Sequence, residues 1–223
     1  MSQALQAPRA GTRQTPARAG PGLRDALHAE WTKLRTAPGA FWLLLAIIVV
    51  TVALSAAAAG AAKCPAVGSA GCAQDPAKIS LTGVDLGQAV VAVLAVLVIS
   101  GEYSTGMIRT TLEAMPRRST VLVAKAAVLT GLVLAAATIA VLGSLLAGRL
   151  LLPGNGFTAA HGFAPLYLGD GPVLRAATGS VLYLALIALL SLGTATAVRD
   201  SGVAIGLVLG LLYLFPIDRK SVV

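Results

Sequence analysis

The stretch "FWLLLAIIVVTVALSAAAAGAA", Phe41 to Ala62, runs for 22 residues without one charge. A helix rising about 1.5 Å per residue needs about 20 apolar residues to cross a hydrocarbon core, so this run is read as a membrane span. A cleaved signal peptide is the competing reading, because "SAAAAGAA" offers small residues to a peptidase. The long basic lead and the length of the run favour a retained anchor. Lys63 immediately before Cys64 also argues against lipoprotein acylation.

Four more apolar runs follow at about 81–100, 126–148, 176–198 and 202–217, with Asp85 near the outer end of the second. The chain is 57% hydrophobic and 12% charged, with a mean hydropathy of +0.83, outside the balance of a soluble domain. The expected fold class is therefore an all-α integral membrane protein, a polytopic helix bundle with five visible transmembrane helices. The formal net charge of +8 does not point to nucleic acid, because the basic residues lie mostly at the ends of apolar runs and no aromatic-interleaved basic face is present.

Those basic residues orient the chain. With the N-terminus inside, the segments near the spans place Arg24, Lys33, Arg35, Arg109, Arg117, Arg118, Lys125 and Arg199 in the cytosol, against Lys63, Lys78, Arg149 and Arg175 outside. Eight against four makes the N-terminus cytosolic. Arginine outnumbers lysine and alanine, glycine and valine abound, which fits a GC-rich bacterial genome and so a multi-pass protein of the bacterial plasma membrane.

Residues 1–22 are rich in Pro, Gly, Ala, Gln and Arg, with little to bury, and read as a disordered basic cytosolic arm. The serine enrichment of an organelle transit peptide is missing. In "LRDALHAEWTKLRT", Leu23, Leu27, Trp31 and Leu34 recur at helical spacing while Arg24, Asp25, Glu30, Lys33 and Arg35 point elsewhere. This predicts a helix on the inner membrane surface with Trp31 as its interfacial anchor; a solvated lead-in is the alternative. Pro38 and Gly39 then break the helix before the first span.

The only cysteines, Cys64 and Cys72, fall in the first external loop, where oxidation to a disulfide is expected and two free thiols are the alternative. The last external loop carries His161 and Asp170, read as solvated groups. The closing "DRKSVV" back-translates to a common sequencing-adapter sequence, so residues 218–223 are read as an atypical, artefactual tail. The natural chain is then expected to continue past about Ile217 into a sixth span; the other reading is a short charged tail.

Between the second and third runs lies "GEYSTGMIRTTLEAMPRRS", Gly101 to Ser119. Ser104 or Thr105 can cap a helix on which Ile108, Leu112 and Met115 share a face, and Pro116 ends it. Arg109 and Glu113 project from another face at i, i+4. The product is a short amphipathic helix able to dock in a partner's groove, or to lie on the headgroups. Glu102 abuts an apolar run and so must reach water or a partner.

Gly202, Gly206 and Gly210 recur on one face of the fifth run and admit close approach of another helix, in the same subunit or in a second one. Gly143 and Ala147 make a weaker version in the third run. No Gly-Lys-Ser or Gly-Lys-Thr, HExxH or GxSxG sequence is present, so no ATPase site of its own is expected.

The combination of "EWTKLRT" before the first span, "GEYSTGMIRTTLEAMPRRSTVLVAK" after the second and "AVRDSGVAIGLVLGLLYLFP" around the fourth and fifth resembles the permease subunit of ABC-2 type ABC transporters, over roughly residues 23–217. The resemblance implies six spans, an N-terminal interfacial helix and a cytosolic coupling helix that engages a separate ATPase. Glu102, Tyr103, Gly106, Arg109, Thr110, Leu112, Pro116, Arg117 and Lys125 would belong to the coupling region, with Ile108 and Met115 on its docking face. It also assigns the Gly202, Gly206 and Gly210 strip to a dimer seam. The implied partners are an ABC ATP-binding subunit, a second permease copy or paralogue, and membrane lipid, with no nucleic acid. ATP and Mg would sit on the partner ATPase, and this chain binds no cofactor directly. The missing sixth span is the departure from the pattern. The expected function is export of a drug, antibiotic or lipid-like amphiphile. The alternatives are an independent secondary transporter or channel, whose inverted repeats and broken helices are not visible in the sequence, and a non-catalytic membrane anchor.

Overall fold

The computed structural model describes residues 23–36, 38–64, 74–104, 118–163, 166–198 and 200–220. Every regular element among them is helical: α1 (Leu23–Thr36), α2 (Pro38–Ala61), α3 (Pro76–Ser80), α4 (Val84–Ser104), α5 (Arg118–Leu151), α6 (Gly171–Val198) and α7 (Ser201–Lys220), with two short 3-10 turns between α5 and α6. Four stretches are long and apolar enough to cross a membrane: Pro38–Ala61, Pro76–Gly101, Ser119–Leu151 and Gly171–Val198. The apolar part of α7, Ser201–Leu214, is shorter.

Pro38 and Gly39 do mark the junction of α1 and α2, but both fall inside the first turn of α2. A proline there costs nothing, because its missing N–H is one of those a helix start leaves unpaired. The apolar stretch Pro76–Gly101 is interrupted at Leu81–Gly83, between α3 and α4, so the second run read from the sequence as about 81–100 begins at the break and continues as the single helix α4. Asp75 begins α3 by accepting from the Ala77 N–H at 2.9 Å. The Gly83 N–H at the interruption donates to Ser55 Oγ of α2 at 3.1 Å, so a side chain satisfies backbone that the break leaves unpaired.

The core gathers Ile47 of α2, Val91 and Leu94 of α4, Leu129 and Val133 of α5, Leu184 and Ile187 of α6, and Val208 of α7. Phe41, Trp42, Leu186, Leu207 and Leu214 are exposed, as expected where the surrounding solvent is lipid. Small residues set how closely the helices approach. A Cβ added at Gly83 would lie 2.0 Å from Thr51 O, one at Gly87 2.3 Å from Thr51 Oγ1, and one at Gly143 2.9 Å from Val52 Cγ2. Thus α4 and α5 pack on α2 through absent side chains.

At the end of the bundle away from α1, Asn155 Nδ2 donates to Ala59 O at 2.9 Å, closing the C-terminus of α2. The Cys64 N–H donates to Asn155 O at 2.9 Å. Gly156 adopts φ 95°, where an added Cβ would also meet Cys64 O at 2.1 Å, so both backbone conformation and space require glycine. Cys64, Phe157 and Leu152 form a small second core there. Cys72 lies outside the described residues, so the expected Cys64–Cys72 disulfide is not described.

Candidate coupling site

α1 turns one of its charged positions inward. Ala26 and Glu30 are buried, whereas Trp31 is exposed, so the side facing α5 carries a carboxylate. Glu30, read from the sequence as lying off the face of Leu23, Leu27, Trp31 and Leu34, points into the protein.

Its partner is Lys125. Lys125 Nζ donates to Glu30 Oε2 at 2.5 Å, and both side chains are only 3% exposed. Lys33, one turn along α1, donates to Glu30 Oε1 at 2.8 Å from a half-exposed position. Both carboxylate oxygens are therefore held by ammonium groups. Burial by itself would raise the Glu30 pKa, but the hydrogen bonds and charges of Lys125 and then Lys33 prevail and hold it below its ordinary value. Glu30 stays ionised, and the pair fixes α1 against the start of α5.

This placement redraws the segment expected between the second and third spans. α4 continues to Ser104 and α5 begins at Arg118, so Lys125 belongs to a helix two turns in, not to the loop. Glu102 and Tyr103 occupy the last turn of α4, and nothing is described of their side chains. Gly106, Ile108, Arg109, Thr110, Leu112, Met115, Pro116 and Arg117 lie outside the described residues. The helix ends that flank them, and the α1–α5 clamp, share one end of the bundle.

The glycine strip of α7 is open. A Cβ added at Gly206 would meet nothing within 4 Å, at Gly202 only Asp200 and at Gly210 only Leu214 of its own helix. Among the described residues no other helix of this chain occupies that face, and Val203, Leu207 and Leu211 beside it are exposed. The intrachain packing use of glycine falls instead on Gly83, Gly87 and Gly143.

The sequence reading missed the Glu30–Lys125 pair and the hydrogen bond from Tyr183 Oη of α6 to Gln88 Oε1 of α4. The available signal for the first was a lone lysine inside the apolar "VLVAKAAVLT", where a charge needs a partner.

A bundle of long apolar helices, lipid-facing leucines and a charged clamp at one end defines a polytopic membrane protein. A family model described as "ABC-2 family transporter protein" matches residues 26–217, and the chain belongs to that family. It is accordingly a permease of an ABC transporter, a membrane component of a system whose partner is an ABC ATP-binding subunit. Comparison with curated proteins and with solved structures gave no match.

Proposed function

We propose that the chain is the membrane subunit of an ATP-driven exporter of amphiphilic molecules, coupled through residues 101–125 to a separate ATPase, with its N-terminus in the cytosol of a bacterial cell. The observation that carries this reading is the buried Glu30–Lys125 pair. It joins α1 to the helix that leads directly out of the 105–117 segment, so a push on that segment is delivered to α1 and α5 together instead of dissipating in a loose joint. Rigid elements with two arrangements are what transmit such a motion.

Two copies, or this chain and a paralogue, are proposed to meet along Gly202, Gly206 and Gly210, the face that is open in the single chain. Outward transport of an amphiphile is supported by the scarcity of charges within the spans, which disfavours a free ion as cargo. The test is co-purification with candidate ABC ATP-binding subunits of the same cell, using the intact chain and a variant with Ile108, Leu112 and Met115 changed to serine. Association lost in the variant supports the coupling reading; failure of the intact chain to associate removes it.

A further inference from the structure

At the end of the bundle opposite the Glu30–Lys125 pair, a cleft of about 840 Å³ opens between the α3–α4 segment and the start of α6. That volume lies within the range of small-molecule sites, about 300–1,000 Å³. Its polar wall carries Asp75, Asp85 and Asp170 against a single cation, Lys78. The chain as a whole has 17 basic and 9 acidic residues, so a third of its acids gather at one cleft whose sign is opposite to that of the protein.

Asp75 is engaged as the cap of α3. Neither Asp85 nor Asp170 has an ion-pair partner among the described residues. The two stand on different elements: Asp85 in the first turn of α4, just past the interruption, and Asp170 directly before α6. Among the described residues no three acids, histidines or cysteines converge as a metal site would require. Negative charge spread along a wall suits a bulky cation better than a metal ion.

The rest of the lining is largely apolar. Phe163, Leu166 and Val173 face the same space, and the cleft reaches Ser180 on α6. At about 1.5 Å per helical residue, Asp170 to Ser180 covers about 15 Å, half the thickness of a hydrocarbon core. The break at Leu81–Gly83 belongs to this geometry, because Lys78 before it and Asp85 after it line the same wall. Irregular backbone near a membrane is tolerated where it borders a cavity.

We infer that this cleft binds an organic cation with an apolar body, the charge lying between Asp85 and Asp170 and the body against Leu166 and Val173. The inference names the cargo class of the proposed exporter and rests on that reading for the direction of movement, not for binding. Asp85 and Asp170, both exposed, together with Asp75 outnumber the single ammonium of Lys78, so the cleft attracts a delocalised positive charge and repels an anion of the same shape.

The test uses the full chain in lipid nanodiscs and two probes of matched shape and opposite charge, tetraphenylphosphonium and tetraphenylborate. Saturable binding of the cation is expected, weakened about tenfold or more in the Asp85→Asn/Asp170→Asn double variant and restored by Asp85→Glu/Asp170→Glu. Tetraphenylborate is expected to bind the wild type more weakly and to gain in the double variant. No saturable cation binding, equal affinity for both ions, or an unchanged affinity in a folded double variant overturns the site. ATP-driven efflux of tetraphenylphosphonium from proteoliposomes is scored separately. Aspartate-dependent binding without efflux leaves the cleft standing and removes the exporter reading, whereas efflux indifferent to both aspartates removes the cleft.

Discussion

Lys125 of α5 and Glu30 of α1, 95 residues apart in sequence, meet at 2.5 Å with both side chains almost wholly withdrawn from solvent. Removing one partner of such a pair strands the other charge in a medium that cannot solvate it, at about 3–5 kcal/mol. Lys125→Met is therefore expected to lower stability by about that much. Glu30→Gln/Lys125→Met is expected to recover most of the loss, because two neutral groups leave no stranded charge. Lys33→Ala, which removes a half-exposed partner, should cost about 1 kcal/mol or less. Thermal unfolding of the detergent-solubilised chain checks the order, and equal losses for Lys33 and Lys125 would contradict it.

The same carboxylate sets a pH dependence. Burial alone would raise the Glu30 pKa, but Lys125 and Lys33 bring it below the ordinary value, so the folded state binds this proton less readily than the unfolded one. Its contribution is complete above the ordinary carboxylate pKa and is lost as pH falls through the lowered one. Stability measured from neutral pH down into the acid range should fall less steeply in Glu30→Gln than in the wild type. Identical slopes would show that Glu30 does not contribute.

Glu102 occupies the last turn of α4, at the edge of the segment proposed to meet the ATPase. Glu102→Ala is expected to leave membrane insertion and ATPase association intact while transport per ATP hydrolysed falls by about tenfold, a loss within the range of coupling free energies. Parallel assays of hydrolysis and efflux in proteoliposomes measure the ratio. An unchanged ratio would remove Glu102 from the coupling path.

The spans were legible because composition alone reports them: uncharged runs of about 20 residues have few soluble explanations. The inward turn of Glu30 was not. Helical periodicity sorts leucines from charges, but it assumes that charges seek water, and Glu30 instead finds an ammonium on another helix. Local spacing carries no information about a partner so distant in the chain. The short helix α3 before the second run was not read from the sequence, and the Ser55 hydroxyl of α2 that accepts the Gly83 N–H at the break lies 28 residues away in the chain. Glycine spacing was visible in "GVDLG" as well as in "GVAIGLVLG", yet nothing in either string tells which strip faces its own bundle.

That difference yields a paired prediction. At Gly87 an added methyl group would come within 2.3 Å of Thr51 Oγ1, and at Gly206 it would touch nothing within 4 Å. Gly87→Ala should therefore destabilise the single chain by about 1–3 kcal/mol, the usual cost of overpacking, and Thr51→Ala in the same chain should relieve part of it by removing the hydroxyl. Gly206→Ala should not lower the stability of the single chain and should raise it by up to about 1 kcal/mol, since alanine is favoured over glycine in a helix and no neighbour is displaced. If Gly206 lies at a seam between two permease copies, the same substitution should weaken their association, because the methyl group holds two backbones apart. Unfolding of the monomer and dilution-dependent energy transfer between labelled copies in bilayers separate the two effects. Loss of monomer stability in Gly206→Ala would place that strip inside the bundle, and unaltered association would remove it from the seam.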